Sequence, residues 1–113
     1  MNQFDYFDEA DFAVTVCDLS GIIVYMNRKS AATFAKDGGS DLVGKSLLDC
    51  HPEPARAKLL ELLQSPRLNI YTIEKNAVQK MIYQAPWIEN GRTLGLMELS
   101  LPLEGDIPHF LRN

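Results

Sequence analysis

Residues 12–34 read FAVTVCDLSGIIVYMNRKSAATF, a stretch that contains two β-rich runs and then a helical one. The runs 12–17 and 22–26 are rich in β-branched and aromatic residues, and the DLSG between them supplies residues that tolerate turn dihedrals. These features predict a β-hairpin. Asn27 can cap a helix by accepting a backbone N–H, and the segment RKSAATFAK, 28–36, has helix-forming content.

The middle of the chain predicts irregular structure followed by a longer helix. The segment DGGSDLVGKSLLD, 37–49, is rich in Gly and turn-forming residues. A residue before proline is pushed out of the α region, so we expect His51 and Glu53 to be extended or turn-like. Pro54 suits the first position of a helix, and the leucines and alanines from there to Gln64 give it a broad apolar face.

The last third of the sequence predicts three further strands. Its runs LNIYTIEK, AVQKMIYQAPWI and TLGLMELSLPL are rich in β-branched and aromatic residues. Asn90-Gly91 between the last two runs is a strong signal for a tight hairpin, whereas Pro86 indicates a sheet edge, a bulge or the end of regular pairing. Two strand blocks on either side of helices indicate an α+β fold, with helices on one face of a five-stranded antiparallel sheet.

The final strand has apolar side chains on both of its faces. Leu94 and Leu96 point one way, whereas Met97, Leu99 and Leu101 point the other. The face away from the helices must therefore also be covered, by the N-terminal segment or by a second subunit. Because an uncovered face would be an unusually large exposed apolar patch, we predict a homodimer.

Length and composition are those of one globular domain. The 113 residues include 46% apolar and 23% charged residues. No run approaches the roughly 18 apolar residues that span a bilayer, and the acidic start lacks a signal peptide's regions, so we expect a cytoplasmic protein without a membrane partner. The net charge of -4 lies in the segment before Arg28, and no basic stripe is present, so we expect no nucleic-acid partner.

The two cysteines, Cys17 and Cys50, lie far apart in the sequence. They form no Cys-x-x-Cys pair, and without a secretion signal two free thiols are favoured over a disulfide. The neighbouring His51 and the start of a helix could lower the pKa of Cys50, but a small apolar filler is the commoner role of such a residue.

The order of these elements, with the residues at their joints, resembles a PAS domain. In that pattern a strand ends in Asp-x-x-Gly, here 18–21, and the next strand ends in Asn27. The pattern continues with a Val-Gly-Lys-Ser segment at 43–46, a His-Pro at His51, a connecting helix and a three-stranded end. The resemblance divides the chain into an N-terminal segment with a short helix, 1–11, a PAS-like domain, 12–103, and a C-terminal tail, 104–113.

The resemblance implies a five-stranded antiparallel sheet with helices across one face, and a sensory or interaction role as in small bacterial PAS proteins. It also implies a small-molecule cavity between helices and sheet and frequent dimerisation. It does not identify a ligand, because members bind haem, flavin, organic acids or nothing known. A flavin photoreceptor is not expected, because the family's Asn-Cys-Arg-type cysteine motif is absent from 28–36.

His51 is the residue that most invites a metal or haem role. Histidine is a common iron or zinc ligand, but no second ligand stands at metal-binding spacing around it. Haem-binding relatives generally carry their histidine within the helical region, whereas Pro52 and Pro54 place His51 before the helix. A hydrogen bond from His51 to the backbone at this junction is therefore favoured, and haem ligation is the minority alternative.

Aromatic residues in the predicted strands are further candidates for a ligand pocket, since tyrosine and tryptophan combine an apolar body with a polar tip. The same residues also serve as ordinary core or interface residues. The candidate ligand-binding residues are Tyr25, Phe34, His51, Tyr71, Tyr83 and Trp87.

These observations predict a non-catalytic sensory or signalling module that binds a small ligand, forms a homodimer, or does both. Its output would pass through a signalling partner protein. The alternative is a purely structural dimerisation domain with a filled core. An enzyme is not expected, because the sequence has no nucleophile–base pair, phosphate-binding loop, dinucleotide signature or metal cluster.

Overall fold

A computed structural model describes residues 5–113 of the chain, so the first four residues of the predicted N-terminal segment lie outside the described range. No helix in that range is long and apolar enough to cross a membrane. The α-helices and β-strands are α1 (Asp5–Asp8), β1 (Ala13–Asp18), β2 (Ile23–Met26), α2 (Arg28–Thr33), α3 (Ala55–Gln64), β3 (Asn69–Lys75), β4 (Val78–Glu89) and β5 (Arg92–Leu103). Short 3-10 turns, Ala35–Asp37, Gly39–Leu42 and Leu47–Cys50, connect α2 to α3.

The strands form one antiparallel sheet in the order β2-β1-β5-β4-β3. Asn90 and Gly91 join β4 to β5 with φ values of 51° and 76°, the positive pair that a tight hairpin turn requires. Asn76 and Ala77 join β3 to β4 in the same way, with φ values of 54° and 64°. The predicted α+β fold with a five-stranded antiparallel sheet is confirmed.

The main core lies between α3, the 3-10 turns and the β2-β1-β5 side of the sheet. Leu59, Leu62 and Leu63 recur at helical spacing on α3 and are buried there, with Leu62 fully excluded from solvent. They pack against a cluster that the sheet and turns supply: Cys17, Ile23, Leu42, Leu47 and Leu96. Burial of these side chains is the main force that holds the helices on the sheet.

Two β-bulges decide which side chains reach the core. Between β1 and β2 the pairing jumps from Val16 with Tyr25 to Cys17 with Ile23. Ile23 therefore faces the core while Tyr25 lies on the opposite side of the sheet. The second bulge, between β4 and β5, inserts one residue after Thr93 and shifts all later pairs by one position.

Gly95 and Pro86 each suit the place they occupy. A Cβ on Gly95 would lie 1.8 Å from the carbonyl oxygen of Cys17, so glycine lets β5 approach β1 closely. Pro86 pairs with β5, but the pairing of β4 with β3 has already ended at Gln84. One side of β4 is therefore an edge at Pro86, where a missing N–H costs nothing.

The segment before α3 is extended at His51 and then turns at Glu53 and Pro54. His51 has φ −120° and ψ 106°, as expected for a residue before proline. The helix begins at Ala55, one residue later than predicted, and Pro54 occupies the N-cap position.

Asn27 joins three parts of the fold through its buried side chain. Its Nδ2 donates to the carbonyl oxygens of Phe7 and Phe12, both at 2.8 Å. Its Oδ1 accepts from the backbone N–H of Val14 at 2.9 Å and of Ser30 at 3.0 Å. The predicted helix cap is thus present, and the same amide also fixes β1 and the N-terminal segment.

We predict that Asn27→Asp lowers the free energy of unfolding by about 2 to 3 kcal/mol, because a carboxylate cannot donate to the two carbonyl oxygens. The acceptor side of the helix cap survives this change, so the loss comes from the two missing donations together with the cost of placing a carboxyl oxygen against two carbonyl oxygens. Urea unfolding followed by circular dichroism measures it. Asn90→Asp in the exposed turn is the matched control and should change stability by less than about 0.5 kcal/mol, since Asp-Gly suits the same turn. Equal losses in both variants would contradict this role of Asn27.

Candidate functional site

A cavity of about 460 Å³ lies between α3 and the helix-facing side of the sheet. Its size falls within the range of roughly 300 to 1,000 Å³ that is common for small-molecule sites. Apolar residues form its helical wall, and polar residues form the wall on the sheet. The lining residues are Leu47, His51, Pro54, Ala55, Lys58, Leu59, Leu62, Asn69, Tyr71, Gln84 and Glu98.

Three polar side chains cross the sheet wall of this cavity in register. Asn69, Gln84 and Glu98 lie opposite one another on β3, β4 and β5. Asn69 Nδ2 donates to Gln84 Oε1, and Gln84 Nε2 donates to Glu98 Oε1, each at 2.8 Å. We call this row the amide–carboxyl ladder. Because an ionised carboxylate only accepts hydrogen bonds, Glu98 fixes the orientation of both amides.

Glu98 is a charged residue two positions after Leu96, which lies in the core on the same face of β5. Its side chain is half-buried and borders the cavity. Burial raises the pKa of its carboxyl above the ordinary value of 4.5, and the Gln84 hydrogen bond and the nearby His51 oppose that rise. Within the described part of the chain, Gln84 is the hydrogen-bond donor to this carboxyl, so the second oxygen is left for another partner.

His51 lies at the wall of the cavity and is held there by the backbone. Its Nδ1 lies 2.8 Å from the carbonyl oxygen of Leu47. A carbonyl only accepts, so Nδ1 carries a proton and Nε2 is the free acceptor of the neutral ring. The ring also approaches Phe34, with centroids 6.1 Å apart, and borders a second cavity of about 190 Å³ that Tyr71 and Glu98 also line.

The cavity does not fit haem. His51 could offer Nε2 as one iron ligand, but a porphyrin face against the sheet would cover Gln84 and Glu98 without satisfying their polar atoms. Among the residues that the structure describes, no three histidine, cysteine, aspartate or glutamate side chains cluster as a metal site. The chemistry of the cavity is that of hydrogen bonding and charge.

The opposite face of the sheet carries a separate apolar groove of about 270 Å³. Strands β1, β2, β4 and β5 form its floor, and it is bordered by Phe7 of the N-terminal segment and by Phe12, which directly precedes β1. The hydroxyl of Tyr25 donates to Asp8, which ties α1 to β2, and burial raises the pKa of this tyrosine. The remaining residues of the groove are Val14, Val16, Tyr83, Ala85, Met97 and Leu99.

The six candidate residues from the sequence lie in different places. His51 and Tyr71 line the 460 Å³ cavity, and Phe34 joins them at the 190 Å³ cavity. Tyr25 and Tyr83 lie on the other face of the sheet, in the apolar groove. Trp87 lines none of these three cavities, and its Nε1 donates to Glu89 at 3.4 Å.

Sequence reasoning missed the amide–carboxyl ladder. The sequence does contain a sign that Glu98 points towards the helices. It lies two residues after Leu96 in β5, so both side chains are on the same face, and Leu96 faces the core. A charged residue on such a face calls for a partner or a function. Gln84 and Asn69 carried no such signal, since their alignment with Glu98 depends on the register across three strands.

Both cysteines are free thiols, as predicted. Burial raises the pKa of Cys17 to about 11, and burial together with Asp37 and Asp49 raises that of Cys50. Cys50 packs partly against the core. Neither thiol therefore has the lowered pKa of a reactive cysteine.

The comparisons with known proteins agree with this architecture. The family model of the PAS fold matches residues 7–65. Comparison with curated protein sequences finds no match.

Three solved structures of receptor or sensor proteins superpose on most of the chain. The Aer2 receptor from Vibrio cholerae, described as a dual PAS-heme oxygen sensor, has a TM-score of 0.58 at 19% identity, over 82% of this chain and 95% of that one. The VqmA dimer of Vibrio cholerae, described among LuxR-type receptors, has a TM-score of 0.65 at 15% identity, over 90% of this chain and 52% of that one. The sensor region of a sensor histidine kinase has a TM-score of 0.59 at 17% identity, over 80% of this chain and 38% of that one.

We predict that Glu98→Gln changes how stability depends on pH. Because burial raises the pKa of Glu98 above 4.5, the folded protein binds this proton more tightly than the unfolded chain does. The resulting stability is fully present below about pH 4.5 and is lost as the pH rises through the folded-state pKa. The free energy of unfolding of the wild type, relative to Glu98→Gln, should therefore fall across that window and then level off.

Urea unfolding of both proteins, at intervals from about pH 4 to about pH 8, measures this difference. Glu74→Gln is the matched control, since Glu74 is exposed on the opposite side of β3 and should give a curve parallel to that of the wild type. A Glu98→Gln curve that is also parallel to the wild-type curve would contradict the prediction.

Proposed function

The chain belongs to the PAS fold family, and we propose that it is a sensory module that binds a small ligand in the cavity between α3 and the sheet. The observation that carries the proposal is the amide–carboxyl ladder on the wall of a 460 Å³ cavity. A core that served packing alone would be filled, because voids larger than a water molecule are few in protein interiors.

The polar wall also argues for a ligand. Placing a carboxyl at a core-facing position costs stability, because its charged form loses water contacts. Leucine or valine at position 98 would continue the apolar face that Leu96 begins, and would avoid this cost. The retention of Glu98, Gln84 and Asn69 around an open space is therefore best explained by a polar partner that enters it.

Binding would pass to a partner through the sheet that forms the floor of the cavity. The ladder spans β3, β4 and β5, and the last two of these also form the groove on the other face. A ligand that moves Glu98 or Gln84 therefore displaces β5 or β4, and the other face of these two strands forms part of the groove. The proposed output is a change in association with a signalling protein, without catalysis by this chain.

We further propose that the apolar groove mediates a homodimer. Phe7 and Phe12 cover only part of this face, and the side chain of Met97 in its floor remains exposed. The residues that line it are apolar apart from the tyrosine hydroxyls. A second copy of the same face would remove these surfaces from water and gain the free energy of apolar burial.

The ligand proposal predicts that Ala55→Trp blocks binding, because Ala55 lines the cavity and the larger side chain would occupy it. A mixture of small polar fragments, observed by ligand-detected NMR, should give binders to the wild type that are lost in this variant. Ala57→Trp is the matched control, since Ala57 is exposed on the same helix and does not line the cavity.

Binding to the control should equal binding to the wild type. Fragments that bind Ala55→Trp as well as the wild type, or a complete absence of binders, would contradict a ligand site in this cavity.

The dimer proposal predicts that the wild type has the mass of a dimer by light scattering at micromolar concentration. Met97→Lys should shift it to the monomer, because a charge in the groove would have to be desolvated on association. Val24→Lys is the control, because Val24 has a similar exposure (41% against 39% for Met97) outside the groove. A monomeric wild type, or equal effects of the two substitutions, would contradict the proposal.

A further inference from the structure

The cavity combines free hydrogen-bond acceptors with the charge of a carboxylate. With Glu98 ionised, each amide of the ladder donates one N–H towards the carboxyl end and keeps a second N–H for another acceptor. The oxygens that remain without a donor in the described part of the chain are Oδ1 of Asn69 and Oε2 of Glu98. Nε2 of His51 adds a third acceptor, because its Nδ1 already bonds to Leu47.

No lysine near the cavity neutralises Glu98, and among the described residues His51 is the group whose charge lowers the pKa of this carboxyl. Lys58 lines the cavity, but its Nζ lies 3.8 Å from the carboxylate of Glu61 and its side chain is 45% exposed. It therefore belongs to the rim. Lys75 and Lys80 border the smaller cavity, and no ion pair joins either of them to Glu98 within the described residues.

The other residues that line the cavity favour a planar ligand. Tyr71 lines both helix-side cavities together with Glu98 and His51. A tyrosine ring stacks on planar groups and attracts cations over its face. Leu59 and Leu62 supply an apolar surface on the opposite wall. A ligand with a planar body and an N–H-rich end would match both walls at once.

We propose that the ligand of this cavity is a small planar cation of the amidine or guanidine class, held by the carboxylate of Glu98. This inference rests on the proposed function, since it names the ligand class for the same cavity. The two N–H groups of such a cation match a carboxylate in a forked, charge-assisted pair. Oε1 can still join the fork, because a carboxylate oxygen that accepts from Gln84 retains a second lone pair. An anionic ligand would be repelled by the same carboxylate.

Three probes of nearly equal shape test the inference: benzamidine, benzamide and benzoate, which are a cation, a neutral molecule and an anion. Each is titrated into the full chain at about pH 8, where amidines are still protonated, and followed by two-dimensional amide NMR. Benzamidine should shift the signals of Gln84 and Glu98 and bind at least about tenfold more tightly than benzamide, the ratio expected for one charge-assisted hydrogen bond. Benzoate should bind most weakly.

Glu98→Gln should lower the affinity for benzamidine by about tenfold or more and leave that for benzamide within about threefold. Glu74→Gln, on the opposite side of β3, should bind all three probes as the wild type does. The ranking of the probes on the unmodified protein tests the inference even where Glu98→Gln fails to fold.

Benzamide or benzoate binding as tightly as benzamidine would overturn the inferred ligand class and leave the ligand cavity itself supported. A preference for benzamidine that survives in Glu98→Gln would overturn the role of Glu98. If none of the probes binds, the inferred class is wrong, whereas the ligand function is decided separately by the comparison of Ala55→Trp with Ala57→Trp.

Discussion

The side chain of Asn27 is the interaction on which the arrangement of the fold depends. Its amide uses all of its hydrogen-bonding capacity, with two donations to the carbonyl oxygens of Phe7 and Phe12 before β1 and two acceptances from β1 and α2. Salt bridges of 3.1 Å from Arg28 to Glu9 and from Lys29 to Asp11 join the same segments, but they are exposed and contribute little. The buried amide therefore sets where α2 starts and where the chain before β1 crosses the sheet. The 190 Å³ cavity and the apolar groove are both lined by residues of β1, the strand that this amide helps to position.

The polar wall of the cavity depends on a second constraint, the bulge between β4 and β5. A regular hairpin from Asn90-Gly91 would place Gln84 opposite Met97, which faces the groove. The extra residue after Thr93 places Gln84 opposite Glu98, with both on the helix-facing side. Gly95 makes this register possible, because it lets β5 lie against the backbone of β1. Local irregularity in one hairpin thus creates the polar wall of the cavity and keeps the other face of the sheet apolar.

The sequence was sufficient to predict the fold class, since the strand runs, the Asn90-Gly91 turn and the Asn27 cap are all local signals. It also predicted apolar side chains on both faces of β5. It did not predict which residues line the cavity. The bulges decide on which face of the sheet each side chain lies, and the alternation of apolar and polar residues does not reveal bulges. Tyr25 and Tyr83 were grouped with His51 and Tyr71 as one pocket, whereas the sheet separates them. Glu98 alone could have been identified, because the alternation of side chains along β5 puts it on the same face as Leu96.

The central claim is that Glu98 is a half-buried hydrogen-bond acceptor for a cationic ligand. A titration of its side-chain carboxyl by carbon-13 NMR, without and with saturating benzamidine, tests this most directly. The account predicts a midpoint above 4.5 in the free protein, because burial raises the pKa, and a lower midpoint when the cation is bound, because an adjacent positive charge favours the carboxylate. A midpoint at or below 4.5 in the free protein, or one that benzamidine leaves unchanged, would contradict it.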